Sequence, residues 1–204
     1  GADKRVFDFL ELPGYELHHI IWEKPRRAES LTEYARRLLP QITEENPILL
    51  GVSFGGMIAQ EIANLITVER IILISSARSA SAIPSYFKFM SRLKIQKLVP
   101  LSRLKKPNDV LYWLFGITSN QHKALLTAIM ADTDEQFFMW AIEAIPRWKN
   151  TTILTHVVQI HGSDDRILNF QRADHVIRGG GHLMIVTRAK EISEIIKQVL
   201  MAPV

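Results

Sequence analysis

Three stretches of the chain are apolar almost without interruption: Ile48 to Val52, Ile71 to Ser75 and Val157 to His161, each rich in Ile, Leu or Val and bounded by Gly, Ser or Pro. Unbroken apolarity, as opposed to alternation, predicts strands covered on both faces, as in a parallel sheet. Glu16 to Trp22, entered through Pro13-Gly14, reads as a further strand, and His175 to Ile177 as a weaker one. Helical spacing fills the intervals. Ser30 and Glu33 form a capping box ahead of Tyr34 to Leu39. Met57, Ile58, Ile62, Leu65 and Ile66 recur at helical spacing, and Ala189 to Leu200 carries Ile192, Ile195, Ile196 and Val199 on one face. Strand and helix in alternation predict an α/β fold with a mostly parallel sheet flanked by helices.

Pro84 to Trp148 breaks this rhythm. Tyr86 to Leu98, Val110 to Phe115, Gln121 to Ala131 and Glu135 to Ile145 read as helices, with no convincing strand among them. The expected organisation is one domain over residues 1–204, with 84–148 inserted as a helical cap. Aromatic and Met side chains in the insertion are expected to pack mostly between cap and sheet, with some left to line an acyl pocket.

With 204 residues, 47% hydrophobic and 23% charged, the chain has the material for a sizeable core and is not disordered. It contains no cysteine, which excludes disulfides, thiolate metal sites and a cysteine nucleophile. The first residues show no signal peptide, and no apolar stretch approaches the roughly 20 residues needed to span a bilayer. A cytoplasmic protein without stable membrane insertion is the expectation. The net charge of +4 is concentrated between Lys88 and Lys106, where seven basic residues stand without an acidic one. No nucleic-acid motif accompanies this patch, so it reads as the solvated face of a helix, and no nucleic-acid partner is expected.

Gly51-Val52-Ser53-Phe54-Gly55, followed by Gly56, lies between a predicted strand and a predicted helix. A serine on such a turn has a strained backbone and projects its hydroxyl above the sheet. Gly51 and Gly55 are expected to be required because a Cβ would collide with the turn or the helix. The backbone N–H of Phe54 is then placed to donate to a developing oxyanion, with the helix N-terminus behind it. Ser53 needs a base, and imidazole suits the task near neutral pH. His182, in Arg178-Gly179-Gly180-Gly181-His182 before the last helix, is the candidate. His156, His161 and His175 lie in or at the ends of strands and are explained by packing. The orienting carboxylate should follow the penultimate strand, in His161-Gly162-Ser163-Asp164-Asp165-Arg166. Asp165 is favoured by the His-Gly-x-x-Asp spacing, with Asp164 as the alternative, and Arg166 is expected to pair with one of them or with a surface acid.

These three motifs, in the order Ser53, Asp165, His182, resemble the α/β-hydrolase superfamily, specifically its small bacterial esterase-like members. The resemblance spans nearly the whole chain. It implies hydrolysis of a small-molecule acyl ester or related substrate through an acyl-enzyme, with no cofactor and no metal, and a cap that shapes substrate choice. The amino end departs from the pattern. A central strand and the loop that supplies a second oxyanion donor would precede Gly1, so the sheet is expected to lack N-terminal core strands, and the chain to be a fragment, a processed form or part of something longer. If Gly1 is the true start, weak catalysis is expected, and a non-catalytic ligand- or partner-binding protein on the same fold becomes the alternative.

Overall fold

The three apolar runs become the main strands of one sheet. The computed structural model describes residues 3–87, 107–152, 154–168 and 172–202. Strands β1 (Ile48–Val52), β2 (Arg70–Ile74), β3 (Val157–Gly162) and β4 (His175–Ile177) lie side by side in that order, every neighbouring pair parallel. All five residues of β2 are buried, as a central parallel strand requires. Ile71 and Leu73 point into one apolar cluster, with helices α1 (Leu31–Leu38) and α2 (Phe54–Ala63). Ile72 and Ile74 point into the other, with Ile192, Ile196 and Val199 of the last helix. This is the two-sided covering that unbroken apolarity predicts.

Helix α1 begins where its capping box puts it. Ser30 Oγ accepts from Glu33 N–H, and Glu33 accepts in return from Ser30 N–H at 2.8 Å. Its Leu31, Tyr34, Ala35 and Leu38 form the buried stripe. Ser30→Ala is expected to cost about 1 kcal/mol, read as a fall in Tm of about 2–4 °C.

Between β2 and β3 come α3 (Asp109–Phe115), α4 (Asn120–Asp132) and α5 (Glu135–Ala144), close to the predicted helices, and no strand is found among the described residues of 84–148. The helix expected over Tyr86 to Leu98 and the basic stretch from Lys88 to Lys106 fall outside the described residues from 88 onward. After β4, a short α6 (Met184–Thr187) leads into α7 (Ala189–Met201). The guanidinium of Arg70, at the start of β2, donates to the carbonyl of Val199 in α7 and to that of Ala202, the residue after the helix.

One expected strand is not formed. Glu16 to Trp22 joins no ladder. Its neighbourhood satisfies part of its backbone by side chains instead: Gln41 brackets Ile21, donating to its carbonyl and accepting from its N–H, and Tyr34 Oη does the same for Glu23. A ladder needs a partner at about 4.8 Å, and between this segment and β1 lies a cleft of about 830 Å³. Pairing is not a local property. β1 is therefore an edge strand. The Pro47 carbonyl and the Ser53 N–H both bond toward β2, so the N–H and C=O of Ile48, Leu50 and Val52 face the cleft.

Candidate active site

The turn from β1 into α2 carries Ser53 at φ 51°, ψ −121°, a conformation costly for a residue with a Cβ. The turn is held from β2. Ser53 N–H donates to the Ile74 carbonyl at 2.9 Å, and the buried Ser76 Oγ donates to the Ser53 carbonyl at 2.7 Å. Although Ser53 occupies the N-cap of α2, its hydroxyl does not cap the helix. It lies 2.9 Å from Nε2 of His182. Phe54 is the first residue of α2, where an N–H has no partner within the helix, and no described group accepts from it.

His182 sits between the glycine loop and α6. Gly180 closes against Gly162 of β3, where a Cβ on Gly162 would fall 2.1 Å from the Gly180 carbonyl oxygen. The Phe115 ring stands edge-on to the imidazole at 5.3 Å, and the Leu183 N–H donates to the Phe115 carbonyl at 3.1 Å. On its other side, Nδ1 of His182 is 2.8 Å from Oδ2 of Asp165. The Asp165 carboxylate is buried, and its Oδ1 accepts from the N–H groups of Ile167 and Leu168, both at 2.9 Å. Asp164 points outward and accepts from Ser163 Oγ. Thus the three candidates converge in one hydrogen-bonded line, and of the two adjacent carboxylates it is Asp165 that meets the imidazole.

A sequence profile described as the alpha/beta hydrolase family matches residues 4–195. The chain belongs to that family. Among curated proteins, the chain is similar to a pimeloyl-[acyl-carrier protein] methyl ester esterase from Pseudoalteromonas atlantica, 35% identical over 71 residues. That stretch is 34% of this chain and 26% of the relative, about a quarter of its length. Among solved structures, a lipase-esterase related protein from Clostridium acetobutylicum matches with a TM-score of 0.63 at 17% identity, over 98% of this chain and 90% of that one. A bromoperoxidase from Bacillus anthracis matches with a TM-score of 0.56 at 18% identity, over 89% and 76%. At such identities these structures support the fold alone.

The electrostatics of the buried carboxylate have a clear sign. Burial by itself would raise the pKa of Asp165. Hydrogen bonds from His161 and His182, the nearby charge of His182 and the N–H of Leu168 outweigh it and hold the group well below the usual carboxylate range. Asp165 is therefore ionised throughout the neutral range. Being depressed relative to the unfolded chain, it stabilises the fold above the ordinary aspartate pKa, a contribution lost as pH falls toward its folded value.

Two expectations need correction. Gly55 is not sterically required: a Cβ there would meet nothing closer than the Trp22 ring at 3.9 Å. The crowded neighbour is Gly56, whose added Cβ would lie 2.4 Å from Ser76 Oγ. One residue of helical rotation turns Gly55 outward and Gly56 onto β2. Arg166 pairs with neither aspartate; it stacks over Trp113 at 4.5 Å and donates to the Trp113 carbonyl at 2.9 Å. Ser76 was not anticipated at the site: it is one of many serines with no motif around it, and sequence spacing could not have singled it out. Phe115 is one of the insertion aromatics expected to pack or to line a pocket, and the structure sets it against His182. Among the described residues, no three His, Asp or Glu side chains are grouped to hold a metal ion, and no helix is long and apolar enough to cross a membrane.

Proposed function

We propose that this hydrolase is a serine carboxylesterase acting through an acyl-enzyme. The observation that carries the reading is the unbroken line Ser53 Oγ, His182 imidazole, Asp165 carboxylate, with contacts of 2.9 and 2.8 Å ending on a serine of strained backbone. Ser53 Oγ attacks the ester carbonyl as Nε2 of His182 takes its proton. The carbonyl oxygen becomes an oxyanion, toward which the Phe54 N–H donates at the N-terminus of α2. Collapse of the adduct breaks the bond to the alkoxide, which leaves with the proton from His182. Water then attacks the acyl-enzyme by the same route, restoring Ser53 and releasing the acid. Asp165 bonds to Nδ1, so the free Nε2 faces the serine, and its charge stabilises the imidazolium that forms.

The relative's methyl ester makes small-alcohol esters of varied acyl length the first panel. Residues 84–148 are proposed as the cap over the acyl group, since Phe115 already stands against His182. The test is a fluorophosphonate, which bonds to activated serines, followed by intact mass. One adduct on the parent and none on Ser53→Ala is the expected result. A folded parent that takes up no adduct would overturn the reading in favour of a ligand- or partner-binding protein on the same fold.

A further inference from the structure

Behind the triad lies a second buried imidazole that catalysis as described does not use. His161, on β3, is 1% exposed. Its Nε2 is 2.7 Å from the Leu168 carbonyl oxygen and 3.1 Å from Oδ2 of Asp165, the same oxygen that meets His182. A carbonyl only accepts, so Nε2 carries a proton and divides it between the two oxygens. On the other side of the ring, Nδ1 faces the Gln159 side-chain amide at 3.4 Å. That amide's orientation is set by donation to the Ser76 carbonyl at 2.7 Å, so its NH₂ is turned toward Nδ1, which must be the unprotonated nitrogen. In this tautomer Nε2 of His161 donates to Oδ2 of Asp165.

Gln159, which faces His161, is itself bonded to its surroundings. Gln159 N–H donates to Asp174, which pairs with Arg78, and Ser76 Oγ holds the Ser53 carbonyl. Ser76 links the two sides: its Oγ donates to the Ser53 carbonyl and its own carbonyl accepts from the Gln159 amide, which faces His161 beside the Asp165 carboxylate. We propose that His161 is a positioning residue: by sharing the Asp165 oxygen that holds His182, it fixes that carboxylate and tempers its pull on the imidazole proton. This deepens the serine-hydrolase reading and rests on it.

Among the described residues, the other groups facing this pair are few. Ser53 comes from the elbow, the Phe115 ring from α3, and Tyr86, which donates to the Ile167 carbonyl, from the segment before residue 88. The Asp164 carboxylate is turned to Ser163 and the Arg166 guanidinium to Trp113. Removing the His161 N–H leaves Asp165 Oδ2 with more undivided negative charge for His182. The protonated imidazole then gains, and the pH at which it forms moves up.

The test compares His161→Met, which has no donor, with His161→Gln, whose amide still donates. In His161→Met, the acid-side midpoint of kcat/KM and the NMR midpoint of His182 protonation are expected to rise together by about half a pH unit or more. The same variant should lose about tenfold in kcat with KM within about twofold. His161→Gln should stay close to the parent in all three. A folded His161→Met with the parent's midpoints overturns the proposal. Should that variant not fold, ¹⁵N NMR of the parent decides: a proton on Nε2 of His161 supports the proposal, and one on Nδ1 overturns it. If the parent hydrolyses no ester and takes no fluorophosphonate, the enzymatic reading falls, while the NMR midpoints still report on the coupling.

Discussion

Asp165→Asn is expected to lower kcat by about 10⁴-fold, with KM little changed, while the protein remains folded. The Asp165 carboxylate has two different faces. Oδ1 receives two backbone N–H groups, and Oδ2 receives two ring N–H groups. An asparagine oxygen can replace Oδ1 and keep the loop closed on itself. Its NH₂ would then stand where Oδ2 stood and present a donor to both histidines. His182 would have to turn its unprotonated Nδ1 to that donor, leaving Nε2–H against Ser53, and a protonated Nε2 cannot take the serine proton. The measurement is steady-state kinetics on an ester the parent hydrolyses, with circular dichroism to confirm the fold. Activity within tenfold of the parent would mean that Asp165 does not set the tautomer of His182. Asp164→Asn, on the exposed neighbour, should leave kcat unaltered. Because Asp165 is ionised far below neutrality, loss of activity on mild acidification belongs to the imidazole, and no separate carboxylate limb is expected above about pH 4.

Gly51→Ala is expected to cost about 3–5 kcal/mol, at the upper end for a single added methyl group, whereas Gly55→Ala should stay within about 1 kcal/mol of the parent. At Gly51 the new Cβ would fall 2.5 Å from Gly56 Cα and 2.7 Å from both the Gly55 carbonyl oxygen and the Gly56 nitrogen. Those are backbone atoms of the first turn of α2, which cannot yield without opening the elbow around Ser53. At Gly55 the methyl group meets only the Trp22 ring at ordinary contact distance, and in a helix Ala is preferred to Gly. For a chain of this length the first change corresponds to a fall in Tm of roughly 10 °C or more, measured by thermal unfolding. Equal melting temperatures for the two variants would mean that the elbow relaxes around a Cβ at residue 51.

The contrast between these glycines marks how far the sequence could be read. The elbow motif is local: a strand, a tight turn and a helix written in some 20 consecutive residues, so Ser53 and the N–H of Phe54 were legible before any coordinates. Which glycine faces the sheet depends on the phase of α2 against β2, and the pentapeptide does not encode that phase. The capping box of Ser30 and Glu33 was legible for the same local reason. Glu16 to Trp22 was misread because a strand is defined by its neighbour. Asp165 and His182 were candidates by order along the chain, and the structure brings them together with Ser53, but Asp165 was separated from Asp164 only by the direction of a side chain in a loop. His161 was read as core packing, and it is buried; its link to Asp165 depends on four residues of chain returning an aspartate to the strand end.

The open flank of β1 bears on how copies of this protein behave toward one another. A strand edge with unbonded N–H and C=O groups is a template on which another polypeptide can add, and natural proteins guard such edges with charge. Here carboxylates outnumber ammonium groups along the cleft, with Glu16, Glu44, Glu45, Glu69 and Asp132 among its lining residues against Lys4 and Lys24. In a molecule whose net charge is +4, this flank is locally acidic. Two copies approaching edge to edge bring like charges together, a repulsion that reaches about 10 Å at 0.1 M salt and about 3 Å at 1 M. Edge-to-edge association on this side is therefore expected to be resisted most strongly in dilute buffer and least at the high salt often added to keep proteins apart.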